Sequence, residues 1–282
     1  MNWVPLLFID DVCHQLKHEA FDQVSQLSGY WSKVGSKHHK NRRQFEFRCR
    51  VSDQEVSYKL WKNDWPYREV TVADLNLEFD RITDLAFDSA YSKDHRVSLR
   101  EFERVVLPTI ASLVTNCSWY LSRQHRDRNR IFFNAFKNCP GFNIISVEEQ
   151  GQESRDFLAR QVLLGNVETL TVYGTYKWPE AEKLTETLKI FVSSTRFHQL
   201  SSHDSLKDDY KLFELFLERA LAKDLKRGAS IIAPSTNFVK NRFLALRPEY
   251  HDDSEDDKWR IPGSNLRIAL RYRDGMLYVR VE

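Results

Sequence analysis

The 282-residue chain is short of the residues that break or staple a fold, with 9 glycines, 8 prolines and 4 cysteines. Glycine and proline at that level exclude a collagen-like or low-complexity chain. Cys13, Cys49, Cys117 and Cys139 lie far apart and never form C-x-x-C. That excludes a compact disulfide framework and the usual spacing of a zinc site, and the thiols are expected to be reduced and mostly buried. No run of about 18 apolar residues occurs, so no transmembrane helix is expected. The apolar patch Val4 to Ile9 has no basic segment before it and is interrupted by Asp10 and Asp11, which excludes a secretory core. These absences place the chain in the cytoplasm or nucleus, with no membrane partner.

An excess of one charge is missing too. The 42 Lys and Arg face 40 Asp and Glu, a net charge of +2, which gives no global pull toward nucleic acid, anionic lipid or an acidic substrate. No phosphate-binding glycine loop, nucleophile elbow or H-E-x-x-H occurs, so the chain reads as a non-enzyme with no cofactor and no metal. The nine histidines are scattered along the sequence. His198, with Asp204 six residues later, is the best acid–base candidate, but no nucleophile or oxyanion donor pairs with it.

What is present is core material. With 41% hydrophobic and 13% aromatic residues, the chain has enough for one or two domains. Val4-Pro5 is followed by Phe8, Ile9, Val12 and Leu16, an apolar stripe on a helix whose first turn suits proline. Phe21, Val24 and Leu27 mark a second helix, Gly29 a stop, and Trp31 and Val34 a third. So small a module cannot bury Val4, Leu7, Phe8, Phe21 and Trp31 by itself, and some of that surface is expected to meet a partner.

The spacing V-P-x-x-x-I-x-x-V-x-x-x-L, then F-x-x-V-x-x-L-x-x-x-W, resembles the F-box over roughly residues 2 to 35. It is most similar to a nematode family of short F-box-like proteins that open with M-x-x-V-P-x-x-F-I and continue into a leucine-rich-repeat-like body. The resemblance implies that Val4, Pro5, Phe8, Ile9, Val12, Leu16, Phe21, Val24, Leu27 and Trp31 bind a Skp-type adaptor, and through it a cullin. An ordinary helical cap packed on the domain behind it is the alternative.

Ser36 to Arg43, S-K-H-H-K-N-R-R, lacks apolar periodicity and reads as an exposed basic linker over 37–44. His38 and His39, adjacent on such a loop, have no further ligands at metal-site spacing. Beyond it Phe45, Phe47, Cys49 and Val51 alternate with polar residues, Ser52 to Glu55 turn the chain, and Val56, Tyr58 and Leu60 alternate again, which predicts a hairpin. Lys37, Arg42 and Arg43 beside Phe45 and Phe47 also admit a single-strand nucleic-acid platform over 37–50, a less favoured reading.

A pattern apolar-x-x-apolar-x-apolar recurs at Ile82-Leu85-Phe87, Phe142-Ile145-Val147 and Val167-Leu170-Val172, and more weakly around Tyr120, Leu200 and Ile232. Amphipathic helices lie between, several with visible starts at Ser98-x-x-Glu101, Pro179 and Ser205-x-x-Asp208. The sequence ends in a hairpin, Leu266 to Tyr272 and Leu277 to Val281 around Asp274-Gly275. The resulting fold class is α/β: an all-helical F-box-like module (1–36), the linker, and an irregular leucine-rich-repeat-like solenoid over 45–282 closed by the hairpin. A general α/β layer is the alternative. Period-2 geometry sends Asp84, Asp88, Ser146, Glu148, Thr171 and Tyr173 to the face opposite the core, where a target protein would be read. The function expected is a substrate-recognition subunit of a cullin-type ubiquitin ligase, and the alternative is an interaction scaffold without ligase coupling.

Overall fold

The structure, a computed structural model, describes residues 4–52, 54–63, 69–87, 95–121, 126–174, 178, 181–203, 210–234, 258–261, 263–273 and 276–282. The chain divides into two compact units, Met1–Phe142 and Asn143–Glu282. Asp88, Pro179, Asp204, the Ser205-x-x-Asp208 cap, the acidic stretch from His251 to 257 and the Asp274-Gly275 turn lie outside the described residues.

The first unit opens with three helices, α1 (Leu6–Gln15), α2 (Phe21–Ser25) and α3 (Tyr30–Asn41). They run directly into β1 (Arg43–Val51), which turns back into β2 (Glu55–Lys62) as an antiparallel hairpin. The Ser52 side chain closes that turn, its Oγ donating to the Glu55 carbonyl at 2.8 Å. β3 (Glu69–Val70) and β5 (His95–Ser98) share the far edge of β2. On the other side β4 (Asp80–Phe87) and β6 (Val114–Leu121) continue in parallel, giving the order β3-β2-β1-β4-β6. Between β5 and β6 the helical turns α4 (Leu99–Glu101) and α5 (Leu107–Leu113) flank a π-helical turn, and α6 (Arg126–Phe136) follows β6. Every second residue of β1 from Phe45 to Val51 is buried, and Leu85, Phe87, Trp119, Phe132 and Phe136 close the same core. Phe87 lies 4.1 Å from Phe132 and 4.7 Å from Trp119 between ring centroids, each buried ring removing roughly 1.5–3 kcal/mol of apolar surface from water.

In the second unit β7 (Phe142–Glu148), β8 (Thr169–Tyr173), β9 (Gln199–Ser202) and β10 (Ser230–Pro234) alternate with α7 (Gln152–Leu164), α8 (Ala181–Ser193) and α9 (Tyr210–Leu221). Parallel pairs β7–β8, β8–β9 and β9–β10 align Ile145, Leu170, Leu200 and Ile231 in one buried row. Beyond β10 the ladder turns antiparallel through β13 (Met276–Val281), β12 (Arg267–Arg273) and β11 (Lys258–Arg260).

This architecture corrects the expected fold class of a helical module plus a repeat solenoid. Both units are mixed α/β layers, with parallel pairing along β1–β4–β6 in the first and β7–β10 in the second, and antiparallel pairs at β1–β2 and from β10 outward. The N-terminal helices are part of the first unit, and residues 37–41 of the expected linker are the last turn of α3. Phe45 and Phe47 are fully buried, Lys37 is paired with Glu78 and Arg43 with Asp80, so neither ring is free to stack on a base.

Candidate metal centre

The position of the site follows from how α1 is held. The last carbonyls of a helix have no partner within it, and on α1 they are taken by side chains from outside. Arg42, buried between α3 and β1, donates from Nη1 to the Leu16 carbonyl and from Nη2 to that of Cys13, each at 2.6 Å. Arg81 of β4 reaches the His14 carbonyl at 3.3 Å and Asn116 of β6 that of Gln15 at 2.9 Å. Cations at a helix C-terminus also meet the negative end of its dipole. Burial pulls the ionisation of both guanidiniums down to about 10, so both remain charged at neutral pH. Underneath, Ile9, Cys13 and Phe21 form a small core with Val4, Leu16, Val24, Trp31 and Val34 packed on it.

With α1 seated in this way, Asp10 and His14, four residues apart, share the face next to the buried pair Ile9 and Cys13. His14 Nε2 lies 3.1 Å from Asp10 Oδ2. The other carboxylate oxygen, Oδ1, is 2.7 Å from Nε2 of His38, which comes from α3 and is fully buried. The two imidazoles meet edge to face, centroids 4.9 Å apart, and Phe21 stacks parallel to His38 at 6.1 Å with Phe79 against its edge at 5.4 Å. One donor atom from each of Asp10, His14 and His38 lies within 4.8 Å of the others. The His14 side chain is 28% and that of Asp10 35% exposed, so the cluster is walled on the His38 side and open to water on the α1 side. Nδ1 of His38 is buried with no partner among the described residues. Burial pushes the neighbouring Cys13 thiol up, against the lowering effect of Arg42, which leaves it a core residue.

Of the residues the sequence offered for a partner, Ile9 and Phe21 are buried, Val4, Val12, Leu16, Val24 and Trp31 are half-buried, and Pro5, Phe8 and Leu27 are exposed. In the second unit Ser146 faces Thr171 and Glu148 faces Tyr173 across β7 and β8. Glu148 is buried, the others half-buried, and the Tyr173 ring stacks on His203 at 4.8 Å. His198 is exposed, and Asp204 lies outside the described residues.

Asp84 sits half-buried in the first unit, opposite Glu46 and Ser118 in register. Burial raises its carboxyl above the ordinary 3.8, and Glu46 adds to the rise, against hydrogen bonds from Thr83, Asn63 and Ser118. The folded state therefore holds this proton to higher pH than the unfolded chain does. Between the two ionisation points the folded state binds more protons, so stability falls as pH rises through that window. Asp84→Asn, which cannot ionise, is expected to raise the melting temperature at pH 7 and to lose that advantage below about pH 4. Thermal melts at both values check it, and an equal effect at both would remove ionisation as the cause.

The sequence reading missed the three-residue cluster. Asp10-x-x-x-His14 is a helical i, i+4 pair, but the two aspartates were read only as an interruption of an apolar run. His38 was placed on a loop, although Trp31, Val34 and His38 follow helical spacing once a buried imidazole is counted on the apolar face.

No protein-family model matches the chain, and no curated protein matches it. Among solved structures it is similar to "MycE Methyltransferase from the Mycinamycin Biosynthetic Pathway in Complex with Mg and SAH" in two crystal forms. Identity is 10% and 8% and TM-score 0.26 and 0.25, with 98% of this chain and 92% of that chain covered in each. The same enzyme with Mg, SAH and mycinamycin VI gives 9% identity and a TM-score of 0.25, again over 98% and 92% of the two chains. A TM-score near 0.25 does not establish even a shared fold, so the ligands of those structures say nothing of this chain.

The F-box resemblance and the ubiquitin-ligase receptor function are corrected by these findings, since no F-box or leucine-rich-repeat model matches. The interaction scaffold and the nucleic-acid platform offered beside that function are set aside with it. The exclusion of catalysis is corrected as well, on the chain's own geometry. That exclusion relied on chemically capable residues being scattered in sequence, and folding assembles a carboxylate and two imidazoles into one cluster. Among the described residues, no helix is long and apolar enough to cross a membrane.

Proposed function

We propose that the chain binds a divalent transition ion of the zinc class through Asp10, His14 and His38. The observation that carries this reading is the convergence of one carboxylate and two imidazoles from α1 and α3 to within 4.8 Å. Around a tetrahedral ion with bonds of 2.0–2.2 Å, donors stand about 3.3 Å apart. The 3.1 Å to His14 and the 2.7 Å to His38 run from different oxygens of Asp10, so an ion held by one of them requires the imidazoles to swing toward it. Two imidazoles favour zinc, copper, nickel or iron over magnesium or calcium, which prefer all-oxygen sets. Three protein ligands leave one position free, the arrangement of sites that admit water or substrate, and an ion there would polarise what binds to it.

Equilibrium dialysis and cobalt(II) titration test the reading. The expected result is one tightly held ion per chain, with a visible ligand-field band that Asp10→Asn and His38→Ala abolish. Unchanged binding in both variants, or no tightly held ion in the wild type, would sink the idea. Since an imidazole nitrogen that carries a proton cannot hold the ion, affinity falls as pH is lowered, by up to about 100-fold per unit where two imidazoles compete with protons. In His14→Ala one imidazole remains, and the dependence is expected to flatten to about 10-fold per unit. Identical pH profiles for the two proteins would remove His14 from the ligand set.

A further inference from the structure

One stretch of the second unit is basic without acids to match. Between α9 and β10 the turn Lys223 to Arg227 reads K-D-L-K-R, with Asp224 its one acid, and Gly228 follows at φ +90°. Backbone bonds tie this glycine and its neighbours to β13 and to the start of β9. Gly228 N–H donates to the Val281 carbonyl at 2.8 Å, Val281 N–H to that of Ala229 at 2.9 Å, and Ser230 N–H to that of His198 at 2.8 Å. His198, just before β9, and Arg280, on β13, are thereby brought beside the glycine. A Cβ at Gly228 would stand 3.4 Å from His198 Cε1 and 3.7 Å from Arg280 Nη2. The imidazole and the guanidinium therefore close on one point, which the absence of a side chain leaves open.

We infer that His198 and Arg280, with the adjoining Lys226 and Arg227, bind the phosphate group of inorganic phosphate or of a phosphate monoester over Gly228. All four side chains are exposed, and none has an ion-pair partner among the described residues. The nearest acids on the flanking segments are engaged elsewhere, Glu168 with Arg196 at 3.8 Å and Glu282 with Arg271 at 2.7 Å. Unpaired positive charge attracts anions, and the donor geometry selects among them. A guanidinium presents paired N–H groups that match two oxygens of a phosphate. Cε1 lies between the two ring nitrogens of His198, so an imidazole N–H sits one bond beyond the atom nearest the point and donates to a third oxygen. A carboxylate, with only two oxygens, would leave one of these donors idle. Lys226 and Arg227, two residues and one residue before the glycine, add charge to the site without having to touch the anion.

The test uses the metal-free full chain, so that no ion at Asp10 can hold the anion instead. Inorganic phosphate is titrated while the Cε1–H signal of His198 is followed by NMR, with acetate at equal ionic strength for comparison. Phosphate is expected to give a saturating shift and acetate none. Arg280→Gln should weaken phosphate binding about 10-fold or more, the worth of a hydrogen bond to a charged group. Arg100→Gln, which removes an exposed cation of the first unit, should leave binding unchanged. Gly228→Ala puts a methyl on the point and should also weaken binding. Because a side chain at that φ is strained, Arg280→Gln decides if Gly228→Ala fails to fold. Phosphatidylcholine vesicles with and without phosphatidic acid separate the sources of the phosphate. Capture that needs both phosphatidic acid and Arg280 assigns the site to a lipid headgroup, and phosphate binding without capture assigns it to a soluble ester. No saturating shift, a shift that acetate reproduces, or equal weakening by Arg280→Gln and Arg100→Gln overturns the site.

Discussion

Replacing Asp10 with alanine is expected to abolish metal binding and to weaken the first unit even without an ion. Removing an outer partner of a metal ligand costs about 10–100-fold in affinity, and loss of the ligand itself, one of three, should exceed that. The stability effect has a separate origin. Asp10 accepts from both imidazoles, and without it the fully buried His38 has no acceptor at Nε2, a loss of about 1–3 kcal/mol. His14, partly exposed, recovers a bond from water and adds little. Asp10→Asn keeps an acceptor and the shape, so it should lose the ion while retaining most of the stability. Urea unfolding of the metal-free proteins reads one effect and cobalt(II) titration the other. An alanine variant with the wild-type midpoint would mean that the carboxylate does not seat His38.

Arg42→Ala should be the more damaging change to the fold, since it leaves more than one carbonyl without its donor, at about 1–3 kcal/mol for each that stays buried. Its guanidinium spans the Leu16, Cys13 and His14 carbonyls and covers the Phe21 ring at 4.6 Å. Truncation leaves these carbonyls facing an apolar interior and opens the space above Phe21. Lysine should not restore it, since one ammonium on a flexible stem cannot span carbonyls on successive residues as the planar fork does. Because α1 carries Asp10 and His14, affinity for the ion should fall with stability, although Arg42 is not a ligand. If Arg42→Lys unfolds at the wild-type midpoint, the fork geometry is not what holds α1.

Much of the fold was legible because period-2 burial is a strong signal wherever polar residues separate the apolar ones. The β1–β2 hairpin and the strands at Ile82–Phe87, Phe142–Val147 and Leu170–Val172 were read from that alternation. Where two apolar residues are adjacent the signal fails. A repeat centred on Tyr120 makes that residue inward, but Trp119 pairs with Leu85 and is buried, leaving Tyr120 exposed. Ile232 was chosen, but Ile231 pairs with Leu200 and fills the core. A slip of one residue reverses every side chain on a strand, and only pairing with a neighbouring strand resolves it. The candidate site was hidden for another reason. Its residues lie 28 positions apart, and what joins them is the docking of α1 on α3, to which the sequence between them gives no direct clue.

Arg42, Arg81 and Asn116 hold α1 by main-chain oxygens, which every amino acid supplies. The grip is therefore blind to the identity of residues 13 to 16, and much of this turn is free to drift in sequence while the helix keeps its place. Ligand chemistry and scaffold are thereby uncoupled. Exchanging His14 for cysteine or glutamate would alter which ions the cluster prefers without unseating the helix that presents it.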